Sequence, residues 1–239
     1  MTEFPANNTD LETRTELGWK GQLLELLVFL FLIVPSMIFS FVAVKQGALG
    51  FGLTACATIM RDLALVGLIF FFLWRNREPM HQIGWTTKGW RKEIGLGLAL
   101  FIPMFFAIPA LERALQQAGF TAPSTPLPSF LAAKDVGQLV LAFILVVVVA
   151  AAEETIFRGY LILRFRFVAR SSRAAALLSA VLFSLGHGYE GTAGVVTIGF
   201  MGLYFAVIYL WRRSLVAPVV MHFLQDFMGI ILVPLLGMK

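Results

Sequence analysis

Two adjacent carboxylates, Glu153 and Glu154, close an apolar run in which positions 140–152 carry no polar side chain. Charge is expensive in such surroundings, and an ionisable residue inside a membrane span is by default a functional one. Arg158, four residues on, is placed to pair with Glu154, the acid N-terminal to the base being the favourable order on one helix face. Glu153 then projects about 100° away, free to face another element. Two later apolar stretches repeat the i, i+4 spacing, with Phe183 before His187 and His222 before Asp226. Glu153, His187 and His222, with Asp226 as a further donor, could bind a divalent ion such as zinc and leave a position open for water. The same groups could act without a metal, Glu153 taking a proton from water and the histidines donating to the developing oxyanion. Residue types and spacing leave both mechanisms open. Each pair alone is an ordinary structural feature. Three of them in separate apolar spans are hard to explain by packing.

The elements that must position these groups are membrane spans. Of 239 residues, 59% are hydrophobic and 14% charged, against roughly 25% charged in soluble domains, and the mean hydropathy is +0.82. This predicts an all-α fold: a polytopic transmembrane helical bundle of about seven spans enclosing a polar cavity within the membrane. The spans are expected near 23–44, 51–74, 94–115, from 136 onward, 174–187, 192–211 and 215–236. The organisation is a polar N-terminal segment, 1–20; three spans with their loops, 21–136, including an outside loop over 116–136; and a core, 137–236, that carries the chemistry. The fifth span is the least secure, since its roughly fourteen apolar residues fall short of the ~20 needed to cross. Lysines and arginines crowd the loops after the second, fourth and sixth spans, which places those loops and the N-terminus on the cytoplasmic side of a multi-pass membrane protein. The net charge of +5 therefore marks orientation; nucleic acid is excluded as a partner, and the lipid bilayer and a membrane protein or peptide are the partners expected.

Depth decides whether the three pairs can meet. Counting from Arg164 or Arg166, Glu153 lies about 17–20 Å up its helix; His187 lies about 21 Å above Arg173 and His222 about 14 Å above Arg213. These depths agree only if the fourth helix runs on through 158–164, which is the expectation. Of the remaining polar groups, Glu25 reads as an interfacial carboxylate and His81 as a solvated side chain among loop cations. Arg61 and Asp62, mid-way along the second span, read equally as groups that pair with other helices or line a cavity, rather than pair with each other, and as a pair at the boundary of a displaced helix. Cys56, the single cysteine, permits no disulfide and reads as a small buried hydrophobe.

In these motifs the sequence resembles the CPBP family of intramembrane proteases (CAAX protease and bacteriocin processing, or Abi), whose pattern is E-E-x-x-x-R, then F-x-x-x-H, then H-x-x-x-N or H-x-x-x-D. Here those positions are Glu153, Glu154 and Arg158, then Phe183 and His187, then His222 and Asp226. The resemblance covers about residues 137–235. It implies an endopeptidase in which Glu153 activates water, Glu154 and Arg158 support it, and His187, His222 and Asp226 complete the site, by a metallo- or a glutamic mechanism. Eukaryotic relatives remove the last three residues of prenylated CAAX proteins and carry Asn where this chain has Asp226. An ionised carboxylate cannot donate to an oxyanion, so Asp226 is expected to orient His222 or to bind metal. Bacterial members, tied to peptide processing, bacteriocin immunity or the anchoring of surface proteins, fit an expected location in a bacterial cytoplasmic membrane. A proton relay or transporter built from the same buried groups, and a non-catalytic membrane scaffold, are the competing functions.

Overall fold

The computed structural model describes residues 18–46, 50–122, 133 and 135–236. Most of the polar N-terminal segment, the greater part of the 116–136 loop and the last three residues lie outside them. The chain forms helices α1 (Trp19–Gln46), α2 (Phe51–Arg75), α3 (Trp90–Gln117), α4 (Val136–Ala169), α5 (Ser172–Leu185), α6 (Gly191–Arg212) and α7 (Val216–Leu235). Six of these are long and apolar enough to cross a membrane, and α5 is the shorter one, at 14 residues, or about 21 Å. The sequence singles out this same element as short.

Start signals are local. The Asp135 carboxylate accepts from the Gln138 amide at 2.8 Å to begin α4, and the Ser171 hydroxyl from the Ala174 amide at 3.2 Å to begin α5. Between them Arg170 takes a left-handed conformation, φ 50°, and turns the chain back. As expected, α4 continues through Arg158 to Arg164 and beyond. Its middle, Glu154–Leu161, is a π-helix, the kind of local widening often found at functional sites. A second π-helix, Phe227–Leu232, follows directly after Asp226 in α7.

Helix α2 packs on α4, α3 on α7, and α5 on α6. The main core gathers Phe29, Ile69, Tyr160, Phe183, Phe205 and Met221, while Phe51, Ala142, Val146 and Ile231 form a smaller one at the opposite end from the basic loops. Gly159 lets the π-helix meet the turn Met80–Ile83, since a Cβ there would stand 2.8 Å from the Ile83 carbonyl oxygen.

Three sequence expectations are corrected. Cys56 is exposed on the outer face of α2 rather than buried, because a lipid-facing surface accepts an apolar thiol as readily as a core does. Glu25 is buried, paired with Arg75 and Arg164 and hydrogen-bonded by Asn76 at 2.7 Å. Arg164 is itself buried, at 0% exposure, and also meets Glu78 at 2.6 Å. It is a tie between α1, α4 and the 76–89 loop, whereas the sequence places it at a solvent boundary. A guanidinium can enter a core when its donors meet carboxylates in a fork.

Candidate active site

The π-helix sets the chemistry. Glu154, at 0% exposure, accepts from Arg158 Nη1 at 2.9 Å, and Arg158 is 1% exposed. The Arg158 guanidinium lies over the Phe183 ring at 4.3 Å and near that of Phe205 at 5.1 Å, and donates to the Gly202 carbonyl at 3.3 Å. Gly202 gives that approach its room: a Cβ there would stand 3.1 Å from Phe183 and 3.3 Å from Arg158.

From α7, His222 completes this anchor. Its Nδ1–H donates to the same Glu154 oxygen at 2.8 Å, which fixes the ring and turns Nε2 toward two further carboxylates, Asp226 at 3.5 Å and Glu153 at 3.8 Å. Glu153 remains 12% exposed, and its Oε2 accepts no hydrogen bond from the protein. The structure thus brings Glu153, Glu154, Arg158, His222 and Asp226 together as the spacing predicts. His187 stands one ring away. Its Nδ1–H donates to the Phe183 carbonyl at 3.0 Å, the Phe183 ring meets both His187 and His222 with centroids 4.9 and 6.0 Å away, and His187 lies within electrostatic reach of Asp226.

The sequence reading leaves two members of this cluster without a role. Arg61 reaches Glu153 at 3.9 Å and, against expectation, also pairs with its own neighbour Asp62 at 2.8 Å. A long guanidinium arm folds back across the 100° that separates adjacent positions, which Cβ directions alone do not reveal. Asp62 is buried. Their signal was present as two charges in mid-span; their target on α4 was not. Tyr189, just before α6, lies within electrostatic reach of Glu153, Asp226 and Arg61. Four carboxyl groups therefore share two guanidiniums and the His222 imidazole.

Glu153, His187 and His222, the set considered for zinc, do not converge as a metal centre. Among the described residues no group of three or more His, Cys, Asp or Glu side chains could hold a metal ion. His222 has one ring nitrogen committed to Glu154, and His187 has one committed to the Phe183 carbonyl.

Residues 135–228, from the cap of α4 to the second π-helix, match the family model of the Rce1-like type II CAAX prenyl endopeptidases. Through these helices the chain is similar to that family. The matched segment contains every candidate residue named from the motifs, whereas Arg61 and Asp62 come from outside it. No curated protein and no solved structure matches the chain.

Proposed function

We propose that the chain is an intramembrane endopeptidase that cuts a membrane-associated polypeptide with water activated by Glu153. The observation that carries this reading is Glu153 Oε2, a buried carboxylate oxygen with no donor from the protein, 3.8 Å from His222 Nε2. Such an oxygen is free to take a proton, as a general base must be. The water oxygen bonds the scissile carbonyl carbon as its proton passes to Glu153, and the carbonyl electrons move onto oxygen. Protonated His222, held by Glu154 and Asp226, donates to that oxyanion from Nε2, and Arg61 adds positive charge beside it. Collapse of the oxyanion re-forms the carbonyl and breaks the C–N bond, and the proton on Glu153 goes to the departing amine.

Asp226 orients and charges His222 in this scheme, the role open to an acid where the eukaryotic relatives carry an amide. The substrate class proposed is a membrane-anchored protein or peptide cut near its C-terminus, with the N-terminus and basic loops of the enzyme on the cytoplasmic side.

One observation favours a second reading, a proton relay. Asp62, Glu153 and Glu154 each carry a buried oxygen without a protein donor. Comparing membrane-protein C-termini and released peptides by mass spectrometry, in cells making the native chain or Glu153→Gln, separates the two. Termini that appear only with the native chain are expected. Identical profiles, with both proteins in the membrane, would overturn the peptidase reading in favour of the relay or scaffold.

A further inference from the structure

At the basic end of the bundle, far from the carboxylate cluster, a cavity of about 400 Å³ is lined by His81, Lys88, Lys92, Glu93, Arg212 and Arg213. Five cationic or titratable bases thus face one carboxylate. That carboxylate is already spent, because Arg212 donates to Glu93 at 2.6 and 3.1 Å. Lys88, Lys92 and Arg213 meet no acid among the described residues, and Arg213 stands close enough to Arg166 for the two guanidiniums to repel.

Helix α3 opens into the same space. Its N-cap, Gly89, offers no side-chain cap, so amides of the first turn lack an intrahelical acceptor and add positive potential there. The cavity also lies at a definite depth. Trp90 and Trp211, at the basic ends of α3 and α6, are exposed and carry the guanidiniums of Arg91 and Arg212 over their rings at 5.3 and 5.0 Å. Exposed tryptophans backed by cations mark the headgroup level of a bilayer. Below that level α3 and α6 present exposed Leu98, Ile102 and Val207.

A topogenic charge cluster needs only to lie in the loop. It need not converge from 81–92 and 212–213 on one concavity beside a helix N-terminus. We propose that this cavity is a binding site for a phosphate ester, the headgroup phosphate of an anionic lipid, held by Lys88, Lys92, Arg213 and the first turn of α3. This site is separate from the carboxylate cluster, and its test requires no peptidase activity.

The test uses the full chain, purified, delipidated and placed in neutral phosphatidylcholine nanodiscs, with phosphatidylglycerol titrated in and bound lipid counted by native mass spectrometry. One retained phosphatidylglycerol per chain is expected. Lys88→Gln and Lys92→Gln, both at exposed positions that leave the fold intact, should each weaken retention about fivefold. Arg170→Gln/Arg173→Gln, which removes two exposed arginines where α4 turns into α5, should leave the stoichiometric lipid in place. Displacement of the lipid by inorganic phosphate supports the same phosphate site with a soluble source, and resistance to it supports a lipid one. Unchanged retention in both lysine variants, or equal loss in the Arg170/Arg173 control, overturns the proposal, since the attraction would then be a diffuse property of the basic face.

Discussion

Replacing Arg158 by Met keeps most of the side chain's length and removes its charge, which isolates what the buried pair contributes. Arg158 and Glu154 are 1% and 0% exposed and 2.9 Å apart, so discounting for solvent is unnecessary. Removing one partner of a buried pair costs about 3–5 kcal/mol, because a charge is left without compensation. At about 2–4 °C per kcal/mol for a chain of this size, Arg158→Met should lower the unfolding midpoint by about 6–20 °C. Glu154→Gln should also destabilise, leaving Arg158 with only the Gly202 carbonyl and two aromatic faces. The double variant removes both charges and should be more stable than the two losses predict, by about 2 kcal/mol. The assay is thermal unfolding in detergent, followed by helical circular dichroism, on all four proteins. Activity adds a second readout: because His222 Nδ1 rests on Glu154, both single variants should lose turnover beyond what their folded fraction explains. Losses that add to within about 0.5 kcal/mol would refute the claim that this pair is one buried unit anchoring the site.

Arg61→Met should lower kcat by about 10²- to 10³-fold, the usual effect of losing a donor that serves the oxyanion, and Arg61→Lys should recover part of it; a native kcat in Arg61→Met would remove Arg61 from the reaction. Peptidase activity should survive a zinc chelator in molar excess, since among the described residues no three His, Cys, Asp or Glu side chains converge on one point, and loss that added zinc reverses would show that the donors rearrange around a metal. Gly159→Val would push a side chain against the Ile83 carbonyl, where even a Cβ stands at 2.8 Å. The 80–89 turn should then detach, which proteolysis of that loop in intact membranes would report, and a loop as protected as in the native chain would contradict the packing.

Composition and motif spacing determine a large part of this protein. A chain this apolar has to build membrane helices, and the i, i+4 rule places Glu154 on Arg158 and Asp226 on His222 without any tertiary information. Helix rise alone requires α4 to run past Arg158 if Glu153 is to share the depth of His187, and the helix does run past it. The π-helix that displaces the Glu154–Leu161 backbone is not legible, because no residue type there demands it and packing against Ile83 and Phe183 decides it.

Long polar side chains were the other gap. Arg61, Arg164 and Glu25 each reach partners 50 or more positions away, or curl back on a neighbour, and a sequence specifies where a Cβ points but not where a flexible arm ends. The same limit applies to His187: its depth agrees with that of His222, yet its Nδ1 is committed to the Phe183 carbonyl. Local periodicity therefore determined the spans and the pairs within each helix. Which pairs meet across helices, and which carboxylate oxygen is left free to take a proton, was decided only when α2, α4 and α7 packed together, because contact between helices depends on rotation and approach that no single helix encodes.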